Sequence, residues 1–182
     1  MKLPKIGQVR LKQHRSVPSE YRLKSVTVSQ TPSGKYYASI LFEYEDQVEE
    51  KKLQKFLGLD FSMYELYRDS NGKEPAYPGY YRNAEKKLAR EQRKLSKMQK
   101  GSNNRNKQRL KVAKLHEKVS NQRKDFLHKW SRQTTNAYDC VCIEDLDMKA
   151  MLRSLNLGKS VSDNGGGMFI TFLKYKLEEC GW

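Results

Sequence analysis

The period of the apolar positions changes twice along the chain, and each change marks a different kind of element. In "GQVRLKQHR" Val9, Leu11 and Gln13 alternate with basic residues, and "LKSVTVSQ" alternates in the same way, so both read as strands. "TPSGK" follows as a turn carrying Pro32 and Gly34. In "YYASILFEYE", Tyr37, Ser39, Leu41 and Glu43 then oppose Tyr36, Ala38, Ile40 and Phe42. The stretch "SVTVSQTPSGKYYASILFEYE" predicts a β-hairpin, too small to stand alone and suited to a barrel or larger sheet. After the charged connector "DQVEEKKLQK", "FLGLDFS" and "YELYRDS" predict two more strands, and "DSNGK" supplies an Asn-Gly turn.

From there the period lengthens. Ala84, Leu88, Leu95 and Met98 share one helical face, interrupted by Glu91. "KGSNNRN" breaks the helix, and a second, over about residues 107–137, carries Leu115, Val119, Phe126 and Trp130 on a common face. The two predict an antiparallel helical hairpin, its aromatic stripe read as core and not as a base-stacking platform. "YDCVCIEDLDMKAM" returns to a short apolar run ending in acid, consistent with an interior strand. "SVSDNGGG" is a loop offering Ser162 or Asp163 as an N-cap, and "MFITFLKYKLEECGW" places Phe169, Phe172, Leu173 and Leu177 on one face of a last helix.

Composition narrows the class. The 182 residues suffice for one domain with an appendage, while 37% apolar residues and a mean hydropathy of −0.91 are low for a compact globule. Such values suit long solvated helices or a surface that a partner covers. No apolar run reaches membrane-spanning length, and "MKLPKIGQVRLKQHR" lacks the apolar region of a signal peptide. Cys140, Cys142 and Cys180 form an odd set without C-x-x-C spacing, which argues for a reducing, cytoplasmic setting and against zinc or disulfides. His14, His116 and His128 show no ligand spacing, and the glycines at 165–167 do not complete a phosphate loop.

Charge changes the picture more. Of the formal net +15, residues 77–132 hold +14, from 18 basic and 4 acidic side chains. A polyanion is the natural partner of such a segment, because phosphates neutralised by Lys and Arg release counterions; a merely solvated basic helix is the plainer alternative. The candidate phosphate contacts are Arg90, Arg93, Lys94, Lys97, Lys100, Arg105, Lys107, Arg109, Lys111 and Lys114.

Two carboxylates stand apart from this basic background. Asp60 ends "FLGLD" and Glu144 ends "VCIE", and the helical crossover between them allows the two strands to lie parallel and adjacent. Adjacent strands are about 4.8 Å apart, so acids at their ends can share a hard divalent cation of the kind phosphodiester hydrolysis uses. On pattern alone a lone acid at a strand end is more usually a turn or cap residue than a metal ligand.

The motifs "VRLKQHR", "SVTVSQTPSGKYYASILFEYE", "LGLDFSMYELYRDSNG", "KLAREQRKLSKMQKGSNNRNKQRLKVAKLHEKVSNQRKDFLHKWS" and "VCIEDLDMKAM", in this order, resemble TnpB. These are the OrfB-type proteins of bacterial insertion sequences, related to type V CRISPR effectors, and the resemblance covers essentially the whole chain. It implies an α/β fold. A β-rich, wedge-like segment (residues 1–52) would precede a RuvC-like, RNase H-fold nuclease domain with a mixed sheet (53–182), into which the basic hairpin (77–137) is inserted. It also implies a guide RNA, a DNA target and Mg²⁺ or Mn²⁺. Asp60 and Glu144 fall where the family has catalytic, metal-binding acids; Asp145 and Asp147 read as supporting or helix-start acids.

Family members continue past "FLKYKLEE" with another strand, a zinc ribbon and a third catalytic Asp, none of which stands in this sequence, and recognition helices are largely missing ahead of "KLPKIGQVRLKQHR". The expectation is therefore a protein truncated at both ends, without zinc and with little nuclease activity alone. The other readings are a non-catalytic RNA- or DNA-binding protein using the basic hairpin, and one piece of a split protein whose remainder comes from a second chain.

Overall fold

The turn at 31–35 closes a long antiparallel hairpin. Lys35 O accepts from Thr31 N at 2.8 Å, and Thr31 O accepts from Gly34 N at 2.9 Å, with Gly34 at φ 88° where a side chain would be strained. In this computed structural model, residues 2–3, 5, 7–14, 16–45, 52–61, 65–144 and 165–179 are described. The chain divides into two units, Met1–Gln47 and Val48–Trp182.

In the first unit, β1 (Lys2–Leu3) pairs with β2 (Gly7–Gln8), and β3 (Arg22–Gln30) pairs with β4 (Tyr36–Glu43), both antiparallel. Val26 lies opposite Ile40, and the register shifts between Leu23 and Ser25. The predicted alternation holds on β4: Ala38, Ile40 and Phe42 are half-buried, while Tyr37, Ser39, Leu41 and Glu43 face solvent. The strand expected over "GQVRLKQHR" does not form beyond Gln8. Residues 9–14 keep the alternation without being strand, since an apolar side alone does not build a hydrogen-bonded ladder.

The second unit is a mixed sheet with three helices among the described residues. β5 (Phe56–Asp60) lies centrally, antiparallel to β6 (Arg68–Asp69) and parallel to β7 (Cys140–Ile143). Of "YELYRDS" only Arg68 and Asp69 pair as strand; Leu66 and Tyr67 are buried but leave the ladder to fill the core, and residues 62–64 fall outside the described set. The Asn-Gly turn closes as expected. Asp69 N bonds Lys73 O, Asp69 O accepts from Gly72 N, and the Asp69 carboxylate accepts from Asn71 N and Lys73 N.

The helical hairpin consists of α1 (Tyr80–Ser96) and α2 (Asn103–Ala137). α2 starts before residue 107 because Ser102 caps it, its Oγ accepting from Arg105 N at 3.2 Å. The polar run that reads as a breaker is thus also a cap. α3 (Gly166–Glu178) begins after Gly165, which sits at φ 70° and provides no side-chain cap. This corrects the expected N-cap at Ser162 or Asp163, which lie outside the described residues, as do Asp145, Asp147 and Cys180. Leu57 and Leu59 on one sheet face pack with Leu66, Tyr67, Leu127 of α2, and Phe169 and Leu173 of α3. Phe126, Trp130, Val141 and Ile143 pack against this cluster, so the aromatic stripe of α2 is core. One face of the sheet is therefore covered by helices.

Candidate active site and nucleic-acid face

Strand alternation sends Leu57 and Leu59 into the core and leaves Phe56, Gly58 and Asp60 on the opposite face. On β7 the same rule places Cys140, Cys142 and Glu144 beside them, since Phe56 registers with Cys140, Gly58 with Cys142 and Leu59 with Ile143. One step further along both strands stand Asp60 and Glu144. Both are exposed, and both line an open groove of about 520 Å³ with Arg68, Ser70 and Cys142. Neither carboxylate accepts a hydrogen bond or forms a salt bridge among the described residues.

What holds this register is a residue that pattern reading passed over. The Asp139 carboxylate accepts from Gln54 N at 3.1 Å and Lys55 N at 2.9 Å, while Lys55 O accepts from the backbone N–H groups of Asp139 and Cys140. The parallel pair is thus pinned where it starts, and the acids emerge side by side where it ends. An acid directly ahead of an apolar strand was the available signal. At the other edge, Gly58 N donates to Ser70 Oγ and Ser70 N to Gly58 O.

Arg68 lies directly across from Asp60. It bonds Glu74, which raises its already high pKa, and Asp60 contributes to the same field. At the start of β7, Cys140 has its thiol pushed up by burial and by Cys142. Among the described residues, no three His, Cys, Asp or Glu side chains come together as a metal-holding group.

The ten predicted phosphate contacts all lie on the hairpin. Arg93, Lys97, Lys100, Lys107, Arg109 and Lys114 are exposed, whereas Arg105 is half-buried at the start of α2. Arg90, Lys94 and Lys111 instead converge on Glu91, whose side chain is 1% exposed. Gln108 crosses from α2 to donate to Glu91 Oε2 at 2.9 Å and to Glu91 O at 3.0 Å. These hydrogen bonds, from Gln108 first and then Lys111, hold the Glu91 carboxyl down at about 2. The residue that interrupts the apolar stripe is therefore the polar joint of the hairpin, ionised throughout the neutral range.

A sequence model described as a probable transposase, of the OrfB type, matches residues 39–155. The chain belongs to this OrfB-type transposase family. A Streptomyces pristinaespiralis protein named as an RNA-guided DNA endonuclease is 32% identical over 168 residues, 92% of this chain and 41% of that protein. The Escherichia coli (strain K12) protein InsQ, named in the same way, is 37% identical over 152 residues, 84% of this chain and 37% of its own length. The chain spans about two fifths of the length of these curated relatives. No helix among the described residues is long and apolar enough to cross a membrane.

Proposed function

We propose that this chain carries part of a RuvC-like, RNase H-fold nuclease of the RNA-guided OrfB type, in which Asp60 and Glu144 hold a divalent cation against a DNA phosphodiester. The observation that carries the reading is the pairing of the two acids at the ends of neighbouring parallel strands, in one groove on the sheet face opposite the core. The mixed order β6-β5-β7 with helices on one face is consistent with such a fold. The donor chemistry fits: two exposed carboxylates are hard oxygen ligands suited to Mg²⁺ or Mn²⁺. When bound there, the ion would supply charge neutralisation and a lowered pKa for water.

The chain's own residues supply the rest. Asp139 fixes the register that sets the acids side by side. Arg68, held by Glu74, contributes positive charge to a groove that two carboxylates would otherwise close to an anionic backbone. The hairpin offers a basic surface for the guide or target strand, and residues 1–52 form the wedge-like segment ahead of the nuclease part. Because two acids leave much of the ion's coordination to other donors, this polypeptide alone is expected to bind nucleic acid and to cut little.

The test follows Mn²⁺-induced broadening of the NMR signals of Asp60 and Glu144, beside cleavage of guide-matched DNA in Mg²⁺. Broadening centred on the two acids, lost in Asp60→Asn, supports the site. Mn²⁺ binding elsewhere, with these signals untouched, refutes it. Robust cutting abolished by Asp60→Ala would overturn the expected weakness of the isolated chain. Salt-dependent binding with no metal at the acids would favour the non-catalytic reading.

A further inference from the structure

Glu91 looks at first like a loss to a polyanion-binding surface, since it places one negative charge among the cations of the hairpin. Its geometry says otherwise. The carboxylate is covered, yet the three cations that cover it are each more than half exposed: Arg90 64%, Lys94 53% and Lys111 55%. Arg90 Nε lies 3.3 Å and Lys94 Nζ 3.5 Å from Oε1, and Lys111 Nζ lies 3.1 Å from Oε2. Gln108 fixes the carboxylate from the partner helix without adding charge. Two cations come from α1 and one from α2, so the cluster straddles the seam, and it retains more positive than negative charge. Lys107, Lys114 and Lys118 follow on the same side of α2 at helical spacing from Lys111, all exposed.

Resting on the reading of the hairpin as a nucleic-acid surface, we propose that Glu91 is a positioning residue that assembles Arg90, Lys94 and Lys111 into a phosphate-binding cluster. Long cationic side chains lose rotamer freedom when they bind, and a side chain already held by a fixed acid loses less. The cations keep donors to spare, because Lys carries three N–H groups and Arg five. A phosphate of the nucleic-acid backbone is the matching ligand, as its oxygens accept from several donors at once.

The test turns on a sign. Glu91→Gln is close to isosteric and raises the net charge of the chain by one, so simple electrostatics demands tighter binding to a polyanion. Pre-organisation demands the reverse. The full chain is titrated with labelled oligothymidylate in EDTA across a salt series, with far-UV circular dichroism as the folding check. The expected result is weaker binding, by about twofold to tenfold for each cation released. A shallower salt dependence should accompany it, its slope falling by about 0.7 for each phosphate no longer neutralised.

Tighter binding by Glu91→Gln with an unchanged or steeper slope overturns the proposal. Should that variant lose helicity, Lys111→Gln is compared with Lys118→Gln, an exposed lysine on the same helix outside the cluster. A larger loss at Lys111 supports the proposal; equal losses overturn it. Absence of salt-dependent binding by the unmodified chain would instead refute the hairpin reading itself.

Discussion

Two carboxylates at the ends of adjacent strands repel each other when no cation lies between them, and that repulsion is measurable as stability. Strand spacing puts the charges roughly 5 Å apart, which corresponds to about 0.8 kcal/mol at the dielectric of water and about 3 kcal/mol at an effective value of 20. Asp60 and Glu144 are exposed, so the lower figure governs, and Arg68 opposite Asp60 offsets part of it. Asp60→Asn should therefore stabilise the chain in EDTA by about 0.5 kcal/mol. Glu144→Gln should do the same, and the double variant should add nothing further, because one repulsion cannot be removed twice.

In Mg²⁺ the signs reverse. A ligand at ten times its dissociation constant stabilises the native state by about 1.4 kcal/mol, and this gain should appear in the unmodified chain and vanish in both single variants. Urea unfolding, followed by the fluorescence of core-packed Trp130, reads both arms. The reasoning fails if Asp60→Asn destabilises the metal-free chain, or if the Mg²⁺ gain survives loss of both acids. Strict additivity of the two substitutions in EDTA would show that the side chains are not neighbours.

Three other outcomes follow from the packing. Leu127 is 0% exposed between the sheet and α3, so Leu127→Ala should remove about 3 kcal/mol and lower the melting temperature by roughly 10 °C, read by calorimetry; a loss under about 1 kcal/mol would mean the core does not run through this residue. Gly165 stands at φ 70°, and an added Cβ would meet Leu127 Cδ1 at 3.0 Å and Arg123 Cδ at 3.2 Å. Gly165→Ala should thus destabilise by about 1–3 kcal/mol in urea titration, whereas Gly101→Ala, at φ 84° with open space around it, should show the smaller backbone penalty alone. Lys176 is buried on α3, donating to Ser131 Oγ at 2.5 Å and His128 O at 2.9 Å, and burial first, then Arg132, lower its pKa below 10.5 against the opposing pull of Glu179. Between its folded and unfolded values the unfolded chain holds more protons, so its contribution to stability rises with pH up to about 10.5. The stability difference between the unmodified chain and Lys176→Met should change with pH in that window, in the direction that favours the unmodified chain as pH rises; a flat difference refutes the burial argument.

The acids were legible because a strand announces its end: apolar Leu57 and Leu59 alternate with Gly58 and stop at Asp60, and the run from Cys140 stops at Glu144. Period alone also gave the β3–β4 hairpin and both long helices. It failed over residues 9–14, which alternate without forming a strand, and at Leu66 and Tyr67, whose burial comes from helices distant in sequence. Glu91 shows the deeper limit. In the one-dimensional pattern it is an interruption, because periodicity scores each residue against its own helix. Its role is set by Gln108 and Lys111 on the facing helix, and which residues face each other depends on where the turn between α1 and α2 closes. That turn is fixed by Ser102, a cap hidden in a run of polar residues. A shift of one residue there would rotate Gln108 and Lys111 by about 100° around α2 and away from Glu91. The buried carboxylate would then lose its partners from the facing helix and keep only Arg90 and Lys94 of its own, which disfavours other registers, so the polar break in the stripe specifies the alignment that uniform leucines would leave open.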